Sequence, residues 1–237
     1  MSLMSCAEYL LTDFNLLWVT MTAENKSISH VIWDWNGTLV DDSEFCASVV
    51  SAVLEEWNLP VIDRLAYRRQ FRFPVREFYE ELGFSGGDSD YLRVCDSFIK
   101  KYRAGWRNCS LQNGAMEVLS TLQKRGVQQI MLSAGYQKDV EASLKHFRID
   151  KFFTDILGQT NTRAEGKVVR GKEWFAQSGL IPDRAILVGD TNHDWEVAEA
   201  LGVDCLLLTN GHQDMERLAA LQPPKINELC EVLELFT

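Results

Sequence analysis

The sequence predicts an α/β protein in which a parallel sheet is interrupted, early in the chain, by an inserted segment made only of helices. After Asn113-Gly114, short apolar runs alternate with amphipathic stretches of helical length, which is the pattern of a parallel sheet covered by helices on both faces. Between Ser43 and Cys109, by contrast, no strand-like alternation appears, and apolar residues recur at helical spacing. These two textures predict a core and a helical insertion.

The first predicted strand ends in a carboxylate. The apolar run 31–33 leads directly into Asp34, and Gly37 ends the run. A side chain at the carboxyl end of a parallel strand faces the crevice where ligands bind, so Asp34 is the candidate nucleophile. The alternative is that Asp34 only terminates the strand or caps the next helix, as Asp commonly does in such turns.

The helical insertion starts at Asp41-Asp42-Ser43, and its first helix continues to the break at Pro60. Proline and glycine breaks then separate three further helices, expected over residues 64–71, 74–82 and 88–106. An insertion of this length has the size of a small domain. The predicted organisation has three parts: an N-terminal extension (1–28), an α/β core (29–42 and 110–237) and a helical cap (43–109).

The second half of the chain supplies the other elements of the predicted core. Its strands are expected over residues 127–132, 153–157, 185–188 and 205–208. Its helices are expected over residues 115–124, 139–147, 167–178, 194–201 and 227–235. Because the first strand belongs to the same sheet, the core is discontinuous in the sequence.

Composition narrows the class of function. Lys and Arg number 24 against 34 Asp and Glu, a formal net charge of -10 without any dense basic run, so a nucleic-acid binder is not expected. A small phosphate is compatible, because backbone N–H groups, one Lys and a metal can hold it. The six cysteines are scattered, with no Cys-x-x-Cys pair, which favours reduced thiols in a cytoplasmic protein.

The N-terminal residues are apolar without matching a targeting segment. Residues 9–21 have no basic flank and are interrupted by Asp13, so neither a secretion signal nor a membrane span is expected. Met1-Ser2-Leu3 before a second Met looks like an expression remnant, and we interpret the segment as a non-essential extension. The sequence does not distinguish a monomer from a dimer.

Four short motifs follow one another in a fixed order. They are Asp34, Ser133 at the end of a second apolar strand, the basic residue Lys167, and Gly189-Asp190 with Asp194 after a third apolar strand. Each is weak alone, but together they resemble the haloacid dehalogenase superfamily of aspartate-nucleophile hydrolases, most of which are magnesium-dependent phosphatases. The resemblance covers the chain beyond the N-terminal extension. It implies a Rossmann-like core with an inserted helical cap, as in the phosphoglycolate phosphatase branch.

The resemblance implies a role for each motif residue. Asp34 would receive the phosphoryl group as an aspartyl-phosphate, and Lys167, favoured over Lys172, would keep Asp34 ionised and offset phosphoryl charge. The implied Mg²⁺ ligands are the carboxylates of Asp34 and Asp190, the backbone carbonyl of Asn36 and, directly or through water, Asp194. The implied phosphate-binding residues are Thr38, Ser133, Ala134 and Gly135. Taken singly, the two later aspartates would be a solvated turn and a helix cap, and the lysine a surface residue.

Asn36 departs from the family pattern, in which an Asp at this position protonates the departing alcohol and then activates water. A side-chain amide cannot exchange a proton in this way near neutral pH. Three interpretations stay open: another group such as His212, His193 or a cap residue substitutes, the substrate has an easy leaving group, or the enzyme is slow.

Two cap arginines are candidates for selecting an anionic substrate. Arg72 and Arg76 alternate with aromatic residues, although solvated arginines on an amphipathic helix would give the same pattern. The predicted function is a Mg²⁺-dependent phosphatase for a small phosphorylated metabolite. The alternatives are phosphonate or carbon–halogen hydrolysis on the same fold, or a catalytically weak phosphate-binding protein. Phosphonate cleavage would need a cap lysine, and Lys100 and Lys101 are the only candidates.

Overall fold

A parallel sheet forms the centre of the structure, a computed structural model that describes residues 28–161 and 167–236. The strands are, in chain order, β1 (His30–Trp33), β2 (Val40–Asp41), β3 (Ser110–Leu111), β4 (Gln128–Tyr136), β5 (Asp155–Gln159), β6 (Ala185–Gly189), β7 (Asp204–Leu208) and β8 (Lys225–Ile226). Six of them make one sheet in the order β5-β4-β1-β6-β7-β8, with every pairing parallel. The predicted Rossmann-like α/β fold class is confirmed. Residues 1–27 of the expected extension lie outside the described residues.

The sheet is buried on both faces, and its central strands β1 and β6 consist mainly of apolar residues. In β1, Val31 and Trp33 contribute to the apolar cluster on one face, whereas Ile32 contributes to the cluster on the other. Successive side chains of a strand point to opposite faces, so a continuous apolar run supplies both clusters. This arrangement places the functional groups at the strand ends rather than on the faces.

Helices cover the sheet and build the insertion. They are α1 (Ser43–Glu56), α2 (Arg64–Gln70), α3 (Val75–Glu81), α4 (Asp88–Gly105), α5 (Ala115–Lys124), α6 (Gln137–His146), α7 (Val168–Ser178), α8 (Asn192–Leu201) and α9 (Met215–Leu218). Helices α1 to α4 share an apolar cluster of their own, to which Tyr67, Phe78 and Val94 belong. In the described part of the chain, no helix combines the length and apolarity that a membrane crossing needs.

A two-stranded antiparallel ribbon stands where the chain leaves the core and returns to it. Val40 of β2 pairs with Leu111 of β3, and Asp41 pairs with Ser110. The sequence did not predict this ribbon, because two residues per strand carry no recognisable alternation. The ribbon brackets the inserted helices at both ends.

Other differences from the prediction concern element ends. Strand β4 continues past Ser133 to Tyr136, and α8 begins two residues earlier than expected because Thr191 caps it. The expected C-terminal helix is a 3₁₀-helix over Leu229–Phe236. The sequence did not predict strand β8, which has two residues, or helix α9, which is one turn long, because such short elements show no periodicity.

Candidate active site

The carboxyl ends of neighbouring strands bring the motif residues together. Strand β1 lies between β4 and β6, and Trp33 is in register with Met131 on one side and Val188 on the other. The next residue, Asp34, donates its backbone N–H to the Val188 carbonyl at 2.9 Å. Asp34 therefore emerges beside Asp190, which follows β6.

Three buried carboxylates converge at this point. Oxygens of Asp34, Asp190 and Asp194 all lie within 4.8 Å of one another. Asp34 is the most exposed of the three, and only 8% of its surface is accessible. The Thr38 hydroxyl donates to Asp190 Oδ1 at 2.8 Å, and the His212 backbone N–H donates to Asp190 Oδ2 at 2.6 Å. Clustered, fixed carboxylate oxygens are the ligands that Mg²⁺ accepts.

The start of helix α8 fixes Asp194. Thr191 is the N-cap residue, and its hydroxyl and backbone N–H donate to Asp194 Oδ2 at 2.7 Å and 3.0 Å. The Asp190 backbone N–H donates to the same oxygen at 3.1 Å. This capping box leaves Oδ1 of Asp194 directed to another partner.

That partner is Lys167. Its Nζ lies 2.6 Å from Asp194 Oδ1 and 2.5 Å from Asp34 Oδ1, and the residue is buried. Lys167 occupies the N-cap position of α7, whereas Lys172, the alternative motif lysine, is exposed on that helix. The structure therefore brings Lys167, and not Lys172, to the carboxylates.

The electrostatics of the cluster favour a bound cation. Burial and the Asp194 charge raise the pKa of Asp34 against the opposing Lys167 charge, and burial with the neighbouring carboxylates raises the pKa of Asp190 to about 8. Burial acts in the same direction on Asp194, but the Lys167 charge and hydrogen bond outweigh it and hold the pKa of Asp194 low. One lysine cannot neutralise all three carboxylates in their ionised forms. The oxygen donors are of the kind that Mg²⁺ accepts.

Glycine at position 37 is required for the carboxylates to come this close. Its φ is +78°, in the left-handed region, and a methyl group there would overlap Asp190 Oδ2 and the His212 ring. The turn after β1 can therefore pass beside Asp190 only without a side chain.

The predicted phosphate-binding residues separate into two groups. Ser133, Ala134 and Gly135 line a cavity that also contains Asp34, and the Gly135 N–H donates to Ser133 Oγ at 3.0 Å. Thr38 is fully buried and does not line this cavity, because its hydroxyl is directed to the Asp190 carboxylate.

The structure does not bring the two cap arginines to the site. Arg72 forms an ion pair with Glu81, and Arg76 forms ion pairs with Glu80 and Asp88 at 2.9 Å and 2.5 Å. Neither arginine is among the described residues that line the cavity. Both therefore stabilise the surface of the helical insertion in this structure.

Asn36 is held by a buried carboxylate. Its Nδ2 donates to Asp42 Oδ2 at 2.6 Å and lies 2.8 Å from the Tyr102 hydroxyl, which donates to the same oxygen at 2.8 Å. The other oxygen, Asp42 Oδ1, accepts from the Gly37 N–H at 3.0 Å and lies 3.2 Å from His212 Nε2. Asn36 thus occupies a position that requires a hydrogen-bond donor.

The charges of this network depend on one another. Burial would raise the pKa of Asp42, but the His212 charge and hydrogen bonds from His212, Asn36 and Tyr102 lower it. Burial would lower the pKa of His212, but Asp42 raises it to about 9. His212 Nδ1 also lies 2.7 Å from the Tyr67 hydroxyl oxygen. A buried ion pair therefore connects the helical insertion to the loop after β7.

Sequence reasoning missed this network. The sequence predicts Asp42 only as part of a helix start, yet its side chain makes no capping hydrogen bond. Tyr102 and His212 lie 60 and 170 residues away in the chain, so no local pattern indicates the contacts. His193, the other histidine named as a possible replacement for the acid, stacks on Phe73 with ring centroids 4.5 Å apart, and its Nδ1 lies 3.2 Å from Glu196 Oε2.

The cavity over Asp34 has a volume of about 200 Å³ and lies between the core and the inserted helices. Asp34, Ser133, Lys167 and Asp194 line it from the core. The insertion contributes mostly aromatic and aliphatic side chains, among them Phe71, Phe73, Phe98, Ile99 and Tyr102. The carboxylate cluster therefore opens into an apolar chamber.

Comparison with known proteins agrees with this geometry. A model of the haloacid dehalogenase-like hydrolase family matches residues 31–208. The chain is 28% identical over 197 residues to the tyrosine-protein kinase PtkA of Mycobacterium tuberculosis, a match that covers 81% of this chain and 65% of that protein. It is 26% identical over 204 residues to phosphoglycolate phosphatase of Pseudomonas savastanoi, with coverage of 83% and 75%.

Solved structures show the same fold. A haloacid dehalogenase-like hydrolase from Streptococcus pneumoniae superimposes with a TM-score of 0.77 at 22% identity, covering 89% of this chain and 99% of that one. The family match spans most of the chain and includes Asp34, Ser133, Lys167, Asp190 and Asp194. The chain belongs to the haloacid dehalogenase-like hydrolase family.

Proposed function

We propose that this protein is a Mg²⁺-dependent phosphatase that hydrolyses a small phosphate monoester through an aspartyl-phosphate on Asp34. The observation that carries the proposal is the position of Lys167 Nζ, within 2.6 Å of both Asp34 Oδ1 and Asp194 Oδ1, while Asp190 completes a carboxylate cluster within 4.8 Å. The likeness to phosphoglycolate phosphatases supports the same reaction class.

In this mechanism, a carboxylate oxygen of Asp34 attacks phosphorus while the bond from phosphorus to the ester oxygen breaks, and the electron pair leaves on that oxygen. Lys167 favours the ionised form of Asp34, and its charge offsets that of the phosphoryl oxygens. The Ser133 hydroxyl and the backbone N–H groups after it would bind phosphoryl oxygens. Mg²⁺, held by Asp34, Asp190, Asp194 and the Asn36 carbonyl, would supply charge neutralisation.

Asn36 limits the rates of both steps. An amide cannot protonate the departing oxygen or deprotonate the water that cleaves the aspartyl-phosphate, and such general acid–base help is typically worth about 10² to 10⁴ in rate. Its backbone carbonyl remains available for the metal, so the substitution removes proton transfer without removing a ligand. We therefore expect slow turnover with poor leaving groups.

Other reactions on this fold have weaker support. Phosphonate hydrolysis would need a lysine of the helical insertion at the substrate, but Lys101 is paired with Glu56 at 2.7 Å, and neither it nor Lys100 is among the described residues lining the cavity. Carbon–halogen hydrolysis uses no metal and therefore does not need the carboxylate cluster. Burial and mutual repulsion make this cluster unfavourable for the folded protein, so its presence favours a metal-dependent reaction. A catalytically weak phosphate-binding protein would have the same carboxylate cluster, and only a lower turnover would distinguish it from the proposed phosphatase.

The likeness to PtkA brings a second candidate, transfer of a phosphoryl group to a tyrosine hydroxyl. Asn36 is a smaller obstacle to this reaction, because a tyrosine hydroxyl, with a pKa of about 10, loses its proton more readily than water does. The cavity favours hydrolysis of a small monoester, since the described lining offers few cations for a triphosphate. Transfer of labelled phosphate from ATP to a tyrosine peptide, absent in Asp34→Asn, would support the kinase reaction.

Release of inorganic phosphate tests the proposed function. Purified protein is assayed with acetyl phosphate and an activated aryl phosphate, with and without Mg²⁺, beside Asp34→Asn and the exposed control Asp183→Asn. We expect Mg²⁺-dependent release that Asp34→Asn abolishes and Asp183→Asn leaves intact. Release that persists in Asp34→Asn, or no release from either substrate, would contradict the proposal.

A further inference from the structure

The residues that line the cavity over Asp34 indicate what kind of leaving group the substrate has. We infer that the substrate is the phosphate monoester of a small phenol, whose aromatic ring occupies the apolar side of this cavity. The inference rests on the proposed phosphatase reaction and adds the chemical class of its substrate. Three observations support it: the lining, the pairing of the lining charges, and the engagement of the Asn36 amide.

The side of the cavity formed by the insertion would receive the organic part of the substrate. Apart from Arg103 and two cysteines, the side chains it presents are apolar or aromatic and come from several inserted helices and their connections, among them Phe71, Phe73, Val75, Phe98, Ile99 and Tyr102. An aromatic ring gains from edge and stacking contacts with such side chains. A carboxylate or a sugar would instead lose hydration there, with few hydrogen-bonding groups beyond tyrosine hydroxyls such as that of Tyr79 to replace the water.

The cations that line the described part of the cavity are already paired. Lys167 is shared by Asp34 and Asp194, and His212 Nε2 lies 3.2 Å from Asp42 Oδ1. Arg103 binds both oxygens of Asp139, with Nε at 3.0 Å and 3.1 Å and a terminal nitrogen at 2.7 Å. A second anionic group on the substrate, such as the carboxylate of phosphoglycolate, would have to compete with the carboxylates that already bind these cations. A neutral ring requires no such exchange.

The Asn36 amide cannot assist a poor leaving group. Its nitrogen is within hydrogen-bond distance of two acceptors, Asp42 and the Tyr102 hydroxyl, and that hydroxyl proton is itself donated to Asp42. When the ester bond breaks, the leaving oxygen must carry its electron pair unaided and take a proton from water afterwards. A phenol has a pKa of about 10, like tyrosine, and its anion departs far more readily than an alkoxide.

A set of matched substrates tests the inference. Phenyl phosphate, benzyl phosphate and phosphoglycolate are compared in the presence of Mg²⁺, with acetyl phosphate as the reference for Asp34 chemistry. We expect kcat/KM for phenyl phosphate to exceed that for phosphoglycolate by about tenfold or more. Benzyl phosphate, which keeps the ring but releases an alcohol, should bind similarly and show a kcat lower by about 10² or more.

The outcomes separate this inference from the proposed function. If acetyl phosphate is hydrolysed and phosphoglycolate is used as well as phenyl phosphate, the phenol assignment is wrong and the phosphatase proposal stands. If benzyl and phenyl phosphate show equal kcat, the leaving-group argument is wrong. If neither acetyl phosphate nor phenyl phosphate is hydrolysed, both fail together.

A pair of lysine substitutions on α4 tests the location of the ring. Ile99→Lys places a cation in the cavity lining, whereas Leu92→Lys adds the same charge at an exposed position of the same helix. We expect Ile99→Lys to lower the ratio of kcat/KM for phenyl phosphate over phosphoglycolate by about tenfold, and Leu92→Lys to change it by less than about twofold. This ratio does not depend on the folded fraction, and equal ratios in both variants would overturn the location.

Discussion

Asn36 and Asp42 share a hydrogen bond of 2.6 Å between Nδ2 and Oδ2, in a buried position also reached by Tyr102. Asp42 is wholly buried, and the His212 charge with three hydrogen-bond donors lowers its pKa despite that burial. This carboxylate stays ionised and needs donors on both oxygens. The amide at position 36 is therefore a structural partner of Asp42 and not simply a missing acid.

The substitution Asn36→Asp follows from this contact. A carboxyl group placed there would face Asp42 at hydrogen-bond distance, and two such groups hold one proton between them, so the new Asp would have a raised pKa. We expect a protonated general acid at neutral pH and a rise in kcat on alkyl phosphates such as benzyl phosphate of about tenfold or more. Acetyl phosphate, which needs little acid help, serves as the control substrate and should change far less.

The same variant should show a pH-dependent loss of stability. The pKa of the introduced Asp would be higher in the folded than in the unfolded protein, where it is about 3.9. The contribution of the introduced Asp to the free energy of unfolding is therefore most favourable below about pH 4. It declines as pH rises toward the raised pKa of this group in the folded protein. Denaturant unfolding of both proteins across this range checks the sign. Parallel curves would mean that the two carboxyl groups do not interact.

Magnesium should stabilise the folded protein through Asp190. Since the pKa of Asp190 is raised to about 8 by burial and neighbouring carboxylates, metal binding near neutral pH must release a proton from this group. We expect the increase in Tm caused by Mg²⁺ to be larger at about pH 9 than at about pH 6. Asp190→Asn should remove most of the increase, whereas Asp183→Asn should not. An equal increase in wild type and Asp190→Asn would exclude Asp190 as a ligand.

Lys167 should be essential where Lys172 is not. Replacing Lys167 by Met leaves Asp34 and Asp194 without their shared cation, so Asp34 loses the charge that favours its ionised form. We expect kcat to fall by about 10² to 10³, the usual effect of removing one electrostatic stabiliser. Lys172→Met is the matched control on the same helix and should retain activity. Comparable losses in the two variants would contradict the assignment.

The sequence predicted those parts of the molecule that local patterns determine. Two of the aspartates follow clearly apolar strands, Asp34 after β1 and Asp190 after β6, and Asp194 lies in the first turn of the next helix. The parallel arrangement brings the carboxyl ends of these strands to one edge of the sheet. Lys167 was chosen over Lys172 by its place at a helix start, which is where the structure has it. The family match confirms the fold that these motifs indicated.

The sequence could not predict which polar side chains would pair across the insertion. Arg72 and Arg76 were candidates for the substrate because their sequence pattern is the same whether they face the cavity or a neighbouring acid. Asp42, Tyr102 and His212 meet only after the insertion folds onto the core. Such contacts depend on the packing of elements distant in the chain, and no periodicity or cap signal encodes them.

The ion pair of His212 and Asp42 gives the last prediction, a dependence of stability on pH. Asp42 raises the pKa of His212 to about 9 in the folded protein, against about 6.5 when unfolded. A group whose pKa is higher in the folded state contributes its full stabilisation of the folded protein at pH values below its unfolded pKa. This contribution is lost as pH rises through its folded pKa. His212 should therefore contribute on the order of 3 kcal/mol below about pH 6.5 and little above about pH 9.

The measurement is the difference in unfolding free energy between wild type and His212→Gln at several pH values. Effects of other titrating groups cancel in this difference to first order. The exposed residue His146 lies outside the network, and His146→Gln should give a difference that does not follow the same course. If the His212→Gln difference stays constant between about pH 6 and about pH 10, folding does not raise the pKa of His212, and the hydrogen bonds from Asn36, Tyr102 and Gly37 must hold Asp42 without the ion pair.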